Sequence, residues 1–200
     1  MRRFSSKILI FSACLAVFSS EGASLAAGGG GGGSSGGAPF LLVGMNSYGG
    51  ASGKSLNGAT GYGLTFGMEA TKGVFRTLGA ARFEYSKDTA TLGDASTGYS
   101  MYGASFVVGG NVVMFPGSRF QPYLMLGGIG GVRLMNVTSS YTQSFSYGYE
   151  LGAGVDIPLG NGGKGLRIRG TTSTVTAISE LAGQTGFQFN SYIWSLGLSY

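Results

Sequence analysis

Hydrophobic and polar residues alternate with a period of two through most of the chain after residue 39, the pattern of strands with one apolar face. It is sharpest between 144 and 159. There Phe145, Tyr147, Tyr149, Leu151, Ala153, Val155, Ile157 and Leu159 share one face, against Ser146, Gly148, Glu150, Gly152, Gly154 and Asp156 on the other. Near the C-terminus, Tyr192, Trp194, Leu196, Leu198 and Tyr200 alternate with Ile193, Ser195, Gly197 and Ser199. Gly, Asn, Ser and Asp break the pattern into eight segments, at 40–48, 59–70, 74–86, 99–115, 122–136, 144–159, 166–177 and 189–200. A strand that crosses a bilayer needs about 9–11 residues, and most of the segments reach that length.

The spacing between segments alternates too. Short connections are expected at 71–73, 116–121 and 160–165, and longer ones at 49–58, 87–98, 137–143 and 178–188. An even-stranded, up-and-down antiparallel barrel with both chain ends on one side has this arrangement. No stretch after residue 27 supplies the 18 consecutive apolar residues that mark a membrane helix. The expected fold is therefore all-β, a transmembrane barrel of eight strands over 39–200.

Charge decides which face is outside. Within the segments Glu69, Arg76, Arg82, Glu84, Arg133, Glu150, Asp156, Arg167 and Arg169 all fall on the face opposite the apolar one. An Arg or Lys on the lipid face costs about 2–4 kcal/mol at the midplane, so the apolar face belongs outside and the charges inside. A soluble lipocalin-like barrel is the alternative and reverses the faces. It would expose a surface of Gly, Ser and Thr with few charges, which is poorly soluble.

Five arginines and four carboxylates thus share a lumen that, with eight strands, is just wide enough to be filled by side chains. A two-residue turn at Lys72-Gly73 would place Glu69 opposite Arg76, and counting around 160–165 places Asp156 opposite Arg167 or Arg169. Such a network reads as a polar plug; the alternative is a narrow pore with a slight preference for anions, or a channel for hydrophobic compounds. Tyr48, Tyr62, Tyr85, Tyr99, Tyr102, Tyr123, Tyr147 and Tyr200 lie towards segment ends and are expected to form aromatic girdles at the membrane surfaces.

Composition narrows the chemistry. The chain has no His, and its single Cys is Cys14 in the apolar leader; a general base of the usual kind and a His/Cys metal site are both missing. No catalytic, cofactor-binding or metal residue is expected. The net charge is +5, or +3 once Arg2, Arg3, Lys7 and Glu21 are set aside, with no basic run to suit nucleic acid. Gly53-Lys54-Ser55 ends like a phosphate loop, but the position five before Gly53 is Tyr48 rather than Gly.

Residues 1–26 have the form of a secretory signal peptide, with a basic start, an apolar core at Ile8–Phe18 and a small-x-small site at Ser24-Leu25-Ala26. Phe11-Ser12-Ala13-Cys14 also matches a lipoprotein box, the alternative in which Cys14 is the lipidated first residue, although apolar residues continue beyond it. Residues 27–38 are a Gly/Ser-rich stretch that cannot bury a core and reads as a periplasmic tether.

The alternating aromatics at Tyr192, Trp194, Leu196, Leu198 and Tyr200 resemble the C-terminal assembly signal of bacterial outer-membrane proteins. With the Pro-Tyr that opens the fifth segment and Gly152-Ala153-Gly154-Val155-Asp156, the chain over 39–200 resembles the small OmpA/OmpX-type eight-stranded outer-membrane barrels. That resemblance implies a place in the Gram-negative outer membrane, contact with its lipid and lipopolysaccharide, and recognition by the barrel-assembly machinery. It implies a structural or surface-interaction role without enzymatic activity, with any ligand of the extracellular loops unspecified.

Overall fold

The alternating segments become strands because each has one face that must leave water and a backbone that must be paired if that face meets lipid. The computed structural model describes residues 37–50, 60–70, 73–92, 95–137, 140–159, 164–179 and 186–199. These form β1 (Gly37–Gly50), β2 (Thr60–Ala70), β3 (Phe75–Leu92), β4 (Ala95–Val113), β5 (Gln121–Val137), β6 (Ser140–Pro158), β7 (Gly165–Ala177) and β8 (Gln188–Ser199). Each strand pairs antiparallel with the next, and β1 pairs with β8 to close the barrel. No edge is left for another chain to extend. The signal peptide, nearly all of the tether, the phosphate-loop-like Lys54 and the terminal Tyr200 lie outside the described residues.

β1 takes in Gly37 and Ala38, within the stretch read as tether; they pair with Ala70 and Glu69. A larger difference concerns two of the expected long connections. Residues 87–92 and 95–98 continue the β3–β4 ladder, from Lys87 opposite Ser100 to Leu92 opposite Ala95. On β5 and β6 the ladder runs on to Val137 opposite Ser140. β4 and β6 each reach 19 residues, about twice what a bilayer requires. Where a strand leaves lipid it no longer needs an apolar face, so its polar sequence looks like a loop while the ladder goes on.

Outside, the apolar positions form a continuous band. Tyr192, Trp194, Leu196 and Leu198 of β8 all point outward, with Trp194 71 % exposed. Inside, the lumen is mixed. Phe40, Leu42, Leu78, Met101, Val107, Val113, Met125, Ile129, Met135, Val175, Ala177, Phe187, Phe189 and Ile193 are buried there beside the charges. The expected girdle tyrosines divide accordingly. Tyr62, Tyr85, Tyr102 and Tyr147 face outward, but Tyr48, Tyr99 and Tyr123 are buried in the lumen. Strand parity is the reason: all three share a face with inward residues of their own strands, Tyr123 with Met125 and Arg133 for example.

Candidate functional site

The lumen is where polar chemistry concentrates, and its charges are set at successive heights by strand pairing. Along β3, Arg76, Arg82 and Glu84 project inward in that order from the end near the chain termini, while Asp156 and Glu150 do so along β6. Three tiers result.

In the first tier Asp156 lies directly across from Arg167. Arg167 Nε and Nη2 donate to Asp156 Oδ1 and Oδ2, each at 2.7 Å, a bidentate fork. Arg167 Nη1 also lies 2.5 Å from Glu69 Oε2. Arg76 completes the group, with Nη1 3.6 Å from both Glu69 and Asp156, and Nη2 donating to Gln121 Oε1 at 2.8 Å. Glu69 and Arg76 therefore meet, but not in the expected register. Glu69 pairs with Leu78, so the β2–β3 turn is wider than two residues and Arg76 reaches Glu69 on the diagonal. The Phe40 ring lies 4.9 Å from the Arg167 guanidinium carbon, and that of Tyr123 lies 5.3 Å away.

The second tier crosses the barrel. Arg82 on β3 donates through Nη1 and Nη2 to the two carboxylate oxygens of Glu150 on β6, the second contact at 2.8 Å, and its Nε reaches Thr65 Oγ1 at 3.3 Å. Arg169 shares this region, with Nη1 3.8 Å from Met125 Sδ and its guanidinium carbon 5.6 Å from the Phe40 ring centre. In the third tier Arg133 of β5 pairs with Glu84 of β3. The Phe189 ring covers Arg133 at 5.4 Å, and Asn46 donates to the Tyr48 hydroxyl at 2.8 Å nearby. Beyond it, towards the end away from the chain termini, Met135, Val175, Ala177 and Phe187 fill the bore.

Gly103 and Gly154 make these contacts possible, a role that the sequence pattern does not show. A Cβ on Gly103 would fall on Arg133 Nη1 and within 3.2 Å of Glu84 Oε2, so the pair closes across a bare backbone. A Cβ on Gly154 would collide with the Tyr123 hydroxyl, which lies flat against that strand. Which strand position a neighbour's side chain crosses is not visible in a period of two. The glycine richness was the available signal.

All nine charged residues expected in the lumen are there, and eight of them are ion-paired among the described residues. Arg169 is the one that is not. A groove of about 580 Å³ lies on the outer surface instead, between Tyr62, Leu64, Phe83, Tyr85, Tyr102 and Leu134; it belongs to the lipid-facing band and not to the charged interior.

Among solved structures, the neisserial surface protein A (NspA) aligns with this chain at a TM-score of 0.60, with 16 % identity, over 84 % of this chain and 98 % of NspA. The chain is a small eight-stranded barrel of the outer-membrane type. Two further matches to this outer-membrane-type barrel are more distant. OprG of Pseudomonas aeruginosa gives a TM-score of 0.47 and 15 % identity over 82 % of this chain and 95 % of OprG. Ail, the attachment invasion locus protein of Yersinia pestis, gives 0.45 and 12 % over 82 % and 97 %. No protein-family model matches the sequence, and no curated protein does.

Proposed function

We propose that this barrel is a non-enzymatic outer-membrane protein with a structural or surface-interaction role, its lumen plugged by the Arg/Glu/Asp network. One observation carries the reading: the charges pair across the bore at three heights, and apolar side chains fill the space between and beyond them. A conduit needs a continuous wet path, whereas here Arg82, Arg133 and Glu150 are almost wholly shielded from solvent. Buried ions held by partners in this way are commonly structural.

The signal-like leader and the aromatic β8 face support export and insertion by the barrel-assembly machinery, with the long β3–β4 and β5–β6 hairpins outside the cell. Lipopolysaccharide and phospholipid would cover the outer face. A partner, on this reading, meets the hairpins and not the lumen.

The test is solute efflux from liposomes carrying the refolded chain. Two tiers are deleted without stranding a charge by combining Arg82→Ala, Glu150→Ala, Arg133→Ala and Glu84→Ala. The expected result is a tight wild type and a leaking variant. Efflux from wild type at a rate the variant does not change would instead make the protein a small pore.

A further inference from the structure

Among the described residues the nine lumen charges do not cancel. Five arginines face four carboxylates, and the structure localises the surplus on Arg169, which is 2 % exposed. The carboxylates on either side of it are committed. Both oxygens of Glu150 are held by Arg82, and Asp156 and Glu69 are shared between Arg167 and Arg76. An arginine does not shed its proton in a protein. A buried, uncompensated cation is among the costliest things a fold can contain. A ring at 5.6 Å and a thioether at 3.8 Å soften that cost without cancelling the charge.

A second group stands beside it in the same condition. The Tyr123 hydroxyl is buried and has no hydrogen-bond partner among the described residues, and neither has Arg169 Nε. The two belong to one place: Tyr123 Oη lies against Gly154, and Gly154 is the residue paired directly with Arg169 across β6 and β7. Tyr123 and Arg169 thus flank Gly154 from β5 and β7, each with a buried donor left unpaired among the described residues. The positive Arg167 adjoins from the tier below, while Phe40 and Met125 wall the region with apolar surface.

We propose that Arg169 and Tyr123 form a binding site for one small monovalent inorganic anion of the halide type, enclosed in the lumen as the tenth member of the charge network. A tyrosine hydroxyl and a guanidinium N–H are both donors, so the occupant accepts hydrogen bonds and carries a negative charge. Its charge offsets that surplus. A single monatomic ion is the smallest occupant that meets both requirements. This site does not depend on whether the lumen conducts: the anion would be a fixed counter-ion in a plug and a resident ion in a pore.

Two measurements test it on the refolded chain. The first is bromide soaking of wild-type crystals. An anomalous peak within hydrogen-bond distance of Arg169 Nε and Tyr123 Oη is expected, and bromide peaks confined to the exterior would overturn the proposal. The second compares unfolding midpoints in sodium chloride and sodium gluconate at equal ionic strength, gluconate being a bulky organic anion in place of the small halide. Wild type should be stabilised by chloride, and Tyr123→Phe should need about tenfold more chloride for the same shift, the usual consequence of losing one hydrogen bond to an ion.

Arg169→Gln removes the uncompensated charge, so it should fold in gluconate at least as well as wild type and ignore chloride. A wild type indifferent to chloride, or an Arg169→Gln variant that keeps the full chloride response, would refute the site.

Discussion

Gly103 shows how much of this lumen rests on single atoms. Arg133 crosses it to reach Glu84, and a methyl group there would occupy the position of Arg133 Nη1. Gly103→Ala should therefore separate the pair and leave two buried ions poorly matched. The expected cost is about 3–5 kcal/mol, that of breaking a buried ion pair. Gly128→Ala is the matched control. Its Cβ would meet nothing nearer than the Val108 carbonyl at 4.0 Å on the outer face, so its effect should stay within about 0.5 kcal/mol. Urea unfolding of the two variants in lipid vesicles measures both, and equal effects would mean that Arg133 has room to move aside.

Strand register decides which charges are strong partners, and this was only half legible in the chain. Counting across the turn at 160–165 left Asp156 opposite Arg167 or Arg169, and the ladder and the bidentate fork select Arg167. Glu69 opposite Arg76 assumed the tightest possible hairpin. The real ladder is shifted by two residues, which preserves the inward face but turns a direct pair into a diagonal one at 3.6 Å. Parity survives any even error in register, so faces are read more surely than partners.

A double-mutant cycle of Asp156→Asn with Arg167→Gln should thus give a coupling near the upper end of the usual range of about 0.5–3 kcal/mol, and Glu69→Gln with Arg76→Gln one near the lower end. Equal couplings would indicate that the four groups act as one electrostatic unit whatever their geometry. The hairpins 87–98 and 137–143 look like loops in the sequence for a different reason. A strand outside lipid has no apolar face to mark it, and backbone pairing leaves no trace in composition. Tyr48, Tyr99 and Tyr123 escaped because tyrosine suits both a membrane interface and a lumen lined with ion pairs; only the parity of each strand separates the two.

At the scale of the whole barrel the issue is whether charge or volume seals it. The outward band and the closed β1–β8 seam follow from alternation and strand number, and both would survive a different interior. The interior that is present combines three levels of ion pairs with large apolar side chains, including Leu42, Met101, Phe189 and Met135, that are fully or almost fully buried. If the seal were electrostatic, neutralising a tier would open it. If the bore is closed by packing, side chains of similar size will do. Replacing the second tier by Arg82→Met with Glu150→Leu retains most of the volume and removes two buried charges together. Such exchanges are often neutral or stabilising by about 1–4 kcal/mol. The expected outcome is a folded, tight barrel, no less stable than wild type, whereas Arg82→Ala with Glu150→Ala, which empties the same tier, should leak. Efflux and urea midpoints on the two double variants separate the cases. Leakage from both would assign the seal to charge, and it would make the conservation of net charge in the lumen, rather than its packing, the condition for a closed barrel.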